Sequence, residues 1–334
     1  MATIKDVARL AGVSTTTVSH VLNETRFVSE DAKARVMQAV AALNYVPNTV
    51  ARSLKGGSSR VLGMLVTDTN NPFYADLIQW VDRVAYRHGY NLMLCNTQGN
   101  ADRARDYLAM LAQRRVDGML LMSSDTQQET MADLSERLAM PAVVMDSAPA
   151  EAGYDRILDD SEMGGELAVT HLIEQGHQRI GLLAGPLSKR NSQSRLSGYR
   201  HALTKAGLAA DDNWVCSDEL SFEGGYRAMH ALLARQQQLT AVFASNDLMA
   251  MGAMRALMEA GLRVPEDVSV VGYDDIPAAR YCNPPLTTVR QPMEALAEQA
   301  LSMLLDRIRE PSLPGRQVVL PPALVGRDSV APVN

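Results

Sequence analysis

Short apolar runs alternate with amphipathic stretches through most of this chain, and that rhythm restricts its fold more than any other feature. Val61 to Val66, Asn91 to Cys95, Gly118 to Met122 and Ala142 to Met145 have strand length, and the spacing predicts helices over Ala75 to His88, Arg103 to Arg114 and Thr130 to Leu138 between them. A second series follows. It runs helix Gly164 to Gln175, strand Arg179 to Ala184, helix Gln193 to Ala206, helix Gly224 to Ala234, strand Ala241 to Ala244, helix Leu248 to Ala260 and strand Val268 to Tyr273. Such alternation builds parallel sheets with helices on both faces. Gly89, Gly176, Gly207 and Gly261 stand where four of these helices should stop, because a left-handed closing residue is least strained without a Cβ. The prediction is an α/β body of two doubly wound lobes facing a cleft.

The first 46 residues follow a different rule. Ile4, Val7, Ala8 and Ala11 recur at i, i+3, i+4 and i+7, Gly12 supplies a turn, and Ser14 can cap a second helix that turns Val18, Val21 and Leu22 inward. Ser29 can cap a third, whose Ala32, Val36, Val40 and Leu43 complete a small core before Tyr45 and Pro47. This is a three-helix, helix-turn-helix pattern. Outward on its second helix lie Thr15, Thr16, Thr17, Ser19 and His20, short hydrogen-bonding side chains suited to base edges and phosphates in a major groove. A solvated helix face is an equally good account of these residues in isolation.

Charge separates the two regions. The chain of 334 residues carries a net charge of −6, which by itself argues against a polyanionic partner. Up to Arg60, however, eight basic residues face four acidic ones, so a head of +4 precedes a body of −10. The head is where double-stranded DNA would bind. Hydrophobic residues make up 46% of the chain, enough to bury sizeable cores. No apolar run reaches the ~18 residues of a membrane span, and the start, Met-Ala-Thr-Ile-Lys-Asp, is unlike an export signal. A cytoplasmic location with no membrane partner is expected. Cys95, Cys216 and Cys282 match no disulfide framework or zinc spacing, so buried thiols and no metal are expected.

Lys5-Asp6-Val7-Ala8, Ala11-Gly12-Val13-Ser14, Thr17-Val18-Ser19, Val21-Leu22-Asn23, Tyr45-x-Pro47-Asn48 and Ala51-Arg52-Ser53-Leu54-Lys55 resemble the signature of the lactose and galactose repressor family of bacterial transcription regulators. The likeness runs over essentially the whole chain. Residues Val13 to Val28 are similar to the purine repressor, and the body to the ribose repressor. This resemblance implies lobes of the periplasmic-binding-protein type, with crossings near Val289 to Pro292 and Leu320 to Pro322. It also implies that Thr15, Thr16, His20 and Arg26 contact the major groove. Asn48 to Lys55, including Ser53, would form a hinge helix only on DNA, with Leu54 wedged into a base step. Physics is consistent with that hinge: Thr49 to Leu54 is too short for a stable isolated helix, and Gly56-Gly57-Ser58-Ser59 follows as a flexible linker. Ordinary linker packing is the plain alternative for Leu54. The resulting domains are 1–46 for DNA binding, 47–60 for hinge and linker, and 61–334 for effector binding and dimerisation. Its N-lobe takes about 61–160 and 292–320, and its C-lobe about 161–291 and 321–334.

Ligands of open α/β sheets bind beyond the carboxyl ends of strands. Asn71, Phe73 and Tyr74 follow the first strand, Asp146 the Ala142 run, Asn246 the Ala241 run, and Asp274 the last strand. Helix capping explains any one such Asn or Asp. Together with Arg195 and Gln291, however, they supply the carboxylates, amides, cation and aromatic faces of a sugar-like site. All eight stand at positions matching ribose-binding proteins and ribose repressors. Ser147 and Leu220 depart from that pattern, at places where those proteins carry Arg or Trp and an aromatic. Asp159 and Arg190 fall where the purine repressor engages its ligand, but Asn71 and Asn246 are unlike a purine pocket, so ribose or a related pentose ranks above a purine corepressor. The nucleotide-binding and hydrolase motifs G-x-G-x-x-G, G-x-S-x-G and the P-loop, and the metalloprotease motif H-E-x-x-H, are missing. Adjacent Asp274 and Asp275 are better read as a turn than as a catalytic pair. A transport binding protein would share the lobes but not the first 60 residues. The expected molecule is a sugar-responsive repressor without cofactor, acting on a palindromic operator. A dimer is expected, since no heptad tail follows Arg327.

Overall fold

The computed structural model describes residues 2–23, 26–45, 58–67, 71–123, 140–146, 154–235 and 238–333. They form two units, Met1–Ser59 and Arg60–Asn334.

In the first unit, α1 (Ile4–Ala11), α2 (Thr15–Asn23) and α3 (Glu30–Ala42) close around Val7, Ala11, Val18, Val21, Val36 and Ala39. Thr3 and Asp6 cap α1 reciprocally, and Gly12 ends it at φ 66°, a conformation that lets its N–H reach back to the Ala8 and Arg9 carbonyls. Ser14 Oγ accepts from the Thr17 N–H at 3.0 Å and starts α2; Ser29 Oγ accepts from the Ala32 N–H and starts α3.

The second unit holds two six-stranded sheets. One contains β1 (Val61–Val66), β2 (Asn91–Asn96), β3 (Gly118–Ser123), β4 (Ala142–Asp146), β5 (Asp155–Asp159) and β11 (Gln317–Leu320). Its order is β11-β5-β4-β3-β1-β2, and every pairing is parallel. The other contains β6 (Ile180–Ala184), β7 (Val215–Ser217), β8 (Ala241–Ala244), β9 (Ser269–Asp274), β10 (Thr287–Arg290) and β12 (Ala323–Val325). Its order is β12-β10-β9-β8-β6-β7, parallel except for β12 against β10. The chain passes between the sheets after β5, after β10 and after β11.

Helices cover both faces of each sheet, and strand alternation assigns the residues beneath them. In the first sheet, Leu62, Met64 and Val66 face α4 (Pro72–Arg87) and α10 (Met293–Arg309), while Leu65, Met119 and Leu121 face α5 (Ala101–Gln113). In the second, Leu182, Ala184 and Phe243 pack under α6 (Ser161–Glu174) and α7 (Arg190–Lys205). Leu183, Val242 and Ala244 pack under α8 (Phe222–Arg235) and α9 (Asp247–Glu259). The first sheet is also tied to the C-terminal region through Asp155, fully buried, which accepts from Arg307 and Arg316. Burial alone would raise its pKa, but these guanidinium hydrogen bonds outweigh it and hold the carboxyl below the usual range.

Most helices begin two or three residues earlier than the hydrophobic pattern suggests. The reason is local: α4, α5 and α6 start at Asn71, Asn100 and Asp160, whose side chains accept first-turn amides, and capping residues are polar by necessity. The 17-residue α10 and strands β5, β7, β11 and β12 stand outside the alternation read from the sequence. The helix expected over Thr130 to Leu138 lies outside the described residues, as does Ser147. Among the described residues, no helix is long and apolar enough to cross a membrane. Cys95 and Cys216 are buried and Cys282 partly so, all as free thiols whose pKa burial raises.

Candidate functional site

The carboxyl ends of β1, β6, β8, β9 and β10 converge on a cavity between the two sheets. Seven of the eight residues expected there line it: Asn71, Phe73, Tyr74, Arg195, Asn246, Asp274 and Gln291. Lys189, Asn191, Ser192 and Leu220 complete the wall. Asp146 ends β4, paired with Ser123, but its side chain lies outside the described residues.

Asp274 closes β9 with φ 110°, a region that costs a non-glycine residue about 1–3 kcal/mol. Gln291 Nε2 donates to its Oδ1 at 2.8 Å. Burial is the main force on this carboxyl and pushes its pKa up to about 7, with Asp159 adding to the rise and Arg195 and Gln291 opposing it. The neighbouring Asp275 turns away: its carboxylate accepts from Arg290 at 2.6 Å and from Arg327. The two carboxylates therefore have different hydrogen-bond partners. Behind them Asp247 is fully buried and accepts from Thr288 Oγ1 at 2.5 Å and from the Ile276 N–H at 2.8 Å, which fixes the turn that presents Asp274. Burial drives the Asp247 pKa far up.

Arg195 comes from the second turn of α7. Its guanidinium carbon lies 3.7 Å from the Tyr273 ring centroid, and Nη1 donates to the Ser245 carbonyl at 2.5 Å. A desolvated cation over an aromatic face is worth about 2 kcal/mol, so the arginine is held before any ligand arrives. The Tyr273 hydroxyl in turn donates to Asp159 Oδ2 at 2.7 Å, where Ser161 Oγ also donates at 2.8 Å. Tyr273 lies on β9 of one sheet and Asp159 ends β5 of the other, so this hydrogen bond joins the two sheets. Burial, reinforced by the Asp159 carboxylate, raises the Tyr273 pKa well above its ordinary value.

Asn71 and Asn246 serve two ends. Asn71 Oδ1 accepts from the Phe73 N–H at 3.0 Å. Asn246 Oδ1 accepts from the Met249 N–H at 2.8 Å and its Nδ2 donates to the Leu220 carbonyl at 3.2 Å. Both cap helices, and both line the cavity.

In the first unit, Thr15 and Thr16 are exposed on α2, while Thr17, Ser19 and His20 are half-buried. The Thr17 hydroxyl stands 2.9 Å from Ser14 Oγ, so part of its bonding capacity goes to the cap. Arg26 is exposed beyond α2. Asn48, Ser53, Leu54 and Lys55 lie outside the described residues.

Comparison with known proteins decides what carries this pairing. Residues 3–48 match the family described as bacterial regulatory proteins, lacI family, and residues 169–330 match a periplasmic binding protein-like domain. Over 334 residues the chain is 45% identical to an HTH-type transcriptional repressor PurR of Photobacterium profundum, covering 100% of both. The chain belongs to the lacI family of bacterial regulatory proteins. It is a DNA-binding transcriptional repressor of that family. It is also 46% identical over 329 residues to the ribose operon repressor of Escherichia coli K12, covering 98% of this chain and 100% of that one. Among solved structures, a lac repressor dimer bound to operator and an anti-inducer matches with a TM-score of 0.89 at 31% identity, over 99% of each chain. A regulator from Enterococcus faecium with bound ribose matches with a TM-score of 0.74 at 34% identity, over 82% of this chain and 100% of that one.

Within this lacI-family frame, neither residue named from the purine resemblance lines the cavity. Arg190 is absent from the cavity wall, and its neighbours Lys189 and Asn191 line it. Asp159 serves as acceptor to Tyr273 rather than as part of the wall. Sequence reasoning missed Lys189, Asn191 and Ser192 because it began this helix at Gln193. The signal was present in the strand Arg179 to Ala184, whose carboxyl end they follow just as Asn246 and Asp274 follow theirs.

Proposed function

We propose that this repressor grips a near-palindromic operator as a homodimer in the cytoplasm and is released when ribose, or a close pentose derivative, binds between the lobes. The observation that carries the reading is the convergence of Asn71, Phe73, Tyr74, Arg195, Asn246, Asp274 and Gln291, drawn from both sides of the cleft, on one cavity. Amides and a carboxyl can bind vicinal hydroxyls, and Phe73 and Tyr74 can cover the apolar face of a ring. The ribose operon repressor and the ribose-bound regulator among its relatives support the same ligand. Thr15, Thr16, Thr17, His20 and Arg26 read the major groove, and Asn48, Ser53, Leu54 and Lys55 the minor groove. Closure on the sugar is the signal, denying residues 48–55 the DNA-bound state that orders them.

A purine base acting as corepressor is the second reading, favoured by the relatives named PurR. Calorimetry with ribose and with hypoxanthine or guanine separates the two. Heat with ribose and a weakened operator complex are expected; no heat with ribose, together with tight purine binding that strengthens the complex, would overturn ligand and sign. Asp274→Ala should keep operator binding and lose the response, since it removes a ligand acceptor and no DNA contact.

A further inference from the structure

The first turn of α7 brings an uncapped, basic helix start to the cavity. α4, α5, α6 and α9 each begin at an Asn or Asp whose side chain accepts a first-turn amide. α7 has Lys189 at its N-cap, no side-chain capping bond and no acidic residue in its first turn. A helix N-terminus carries roughly half a positive charge, and Lys189 and Arg190 add to that charge rather than offset it.

Ser192, in the same turn, gives independent indication of a ligand. It is 2% exposed and lines the cavity, and its hydroxyl makes no hydrogen bond among the described residues. A ligand acceptor in the cavity would give this hydroxyl the partner it lacks among the described residues. The hydroxyl reaches this place because Gly185, just past β6, has no side chain: a Cβ there would stand 2.6 Å from Ser192 Oγ and 2.6 Å from Leu220 Cδ2. The charged residues of the wall are Lys189, Arg195 and Asp274, two cations against one carboxyl.

We propose that the effector is an anionic pentose, a sugar bearing a phosphate or carboxylate, whose anion sits at the N-terminus of α7 against Ser192 and Lys189. The sugar ring then faces Asn71, Asp274 and Gln291. This rests on the cavity being the pentose effector site. The chemistry is that of anion recognition generally: first-turn amides, a hydroxyl donor and an ammonium converge on one group.

Titration calorimetry of the full-length protein at fixed ionic strength, with ribose, ribose 5-phosphate and ribonate, tests it. One of the two anions should bind roughly tenfold or more tightly than ribose, the worth of a charge-assisted hydrogen bond, and the tighter one identifies the group. That ratio should fall in both Lys189→Gln and Ser192→Ala, each checked by thermal melting for intact folding. Ribose binding as tightly as both anions, or a ratio unchanged in both variants, overturns the anionic assignment while leaving the pentose site standing. Absence of heat with all three sugars overturns the pentose reading and this inference with it.

Discussion

Asp274 joins a strained backbone to a buried carboxyl, and both features have measurable consequences. Its pKa is pushed up to about 7 from an ordinary value of 3.8, chiefly by burial. The folded protein therefore binds this proton more tightly than the unfolded chain does. The associated stability is complete below about pH 4 and is lost as pH rises through about 7. Asn has nearly the same shape, carries no charge and tolerates positive φ better than most residues. Asp274→Asn should therefore gain on the native protein between pH 5 and pH 8, by roughly 2–3 kcal/mol. Thermal melting of both proteins at the two pH values checks this; an equal difference at each would mean that the carboxyl is not carried into the fold as an acid. Asp155 behaves oppositely, because Arg307 and Arg316 hold its pKa down. Asp155→Asn leaves Arg307 without its anion and Arg316 with Asp306 alone, and a loss of about 3–5 kcal/mol is expected in urea unfolding. Asp274 was legible in the sequence because it ends an apolar run. Lys189, Asn191 and Ser192 were not, because a helix that opens on Lys carries none of the polar capping signals by which helix starts are read.

At the scale of elements, the second sheet depends on helix pairs packed closely enough to exclude a side chain. A Cβ on Gly198 of α7 would stand 2.1 Å from the Glu162 carbonyl oxygen of α6, and one on Gly252 of α9 would stand 2.0 Å from the Phe222 carbonyl oxygen of α8. These contacts are to backbone, which cannot rotate away. Gly198→Ala should therefore force α7 off α6 and cost about 1–3 kcal/mol, although alanine is the better helix former. Gly326→Ala, where an added Cβ meets nothing, is the control and should change stability by less than about 0.5 kcal/mol. Denaturant unfolding of the two variants compares them, and equal stability would remove close packing as the reason for the glycines. The strands were readable because buried parallel strands are continuous apolar runs. Met64 and Leu183 illustrate this, since each is fully buried under helices. β11 was less so: Gln317 to Leu320 is an edge strand with alternating exposure, and its partner β5 precedes it by more than 150 residues. Helix α10 packs on strands that come much earlier in the chain, a relation that local periodicity does not carry.

At the scale of the whole molecule, the reading requires that a cavity in one unit govern DNA binding in the other. Linkage makes the requirement quantitative: if the effector weakens the operator complex by some factor, operator must weaken effector binding by the same factor. The structure offers a place for two states to differ. The Tyr273 to Asp159 hydrogen bond joins the two sheets, and Arg195 lies on the same tyrosine ring while lining the cavity. A ligand that draws on Arg195 or Asp274 thus acts on the residue that ties the lobes together. Effector affinity measured on the full chain alone and on the chain saturated with operator should differ by roughly 5- to 150-fold, the usual span of such couplings. Operator affinity with and without saturating effector should differ by the same ratio. In Tyr273→Phe the inter-sheet hydrogen bond is gone while the ring beneath Arg195 remains, so both ratios should shrink together. If one ratio changes and the other does not, the two measurements do not report one equilibrium. If both persist undiminished in Tyr273→Phe, the switch runs through contacts other than this bond.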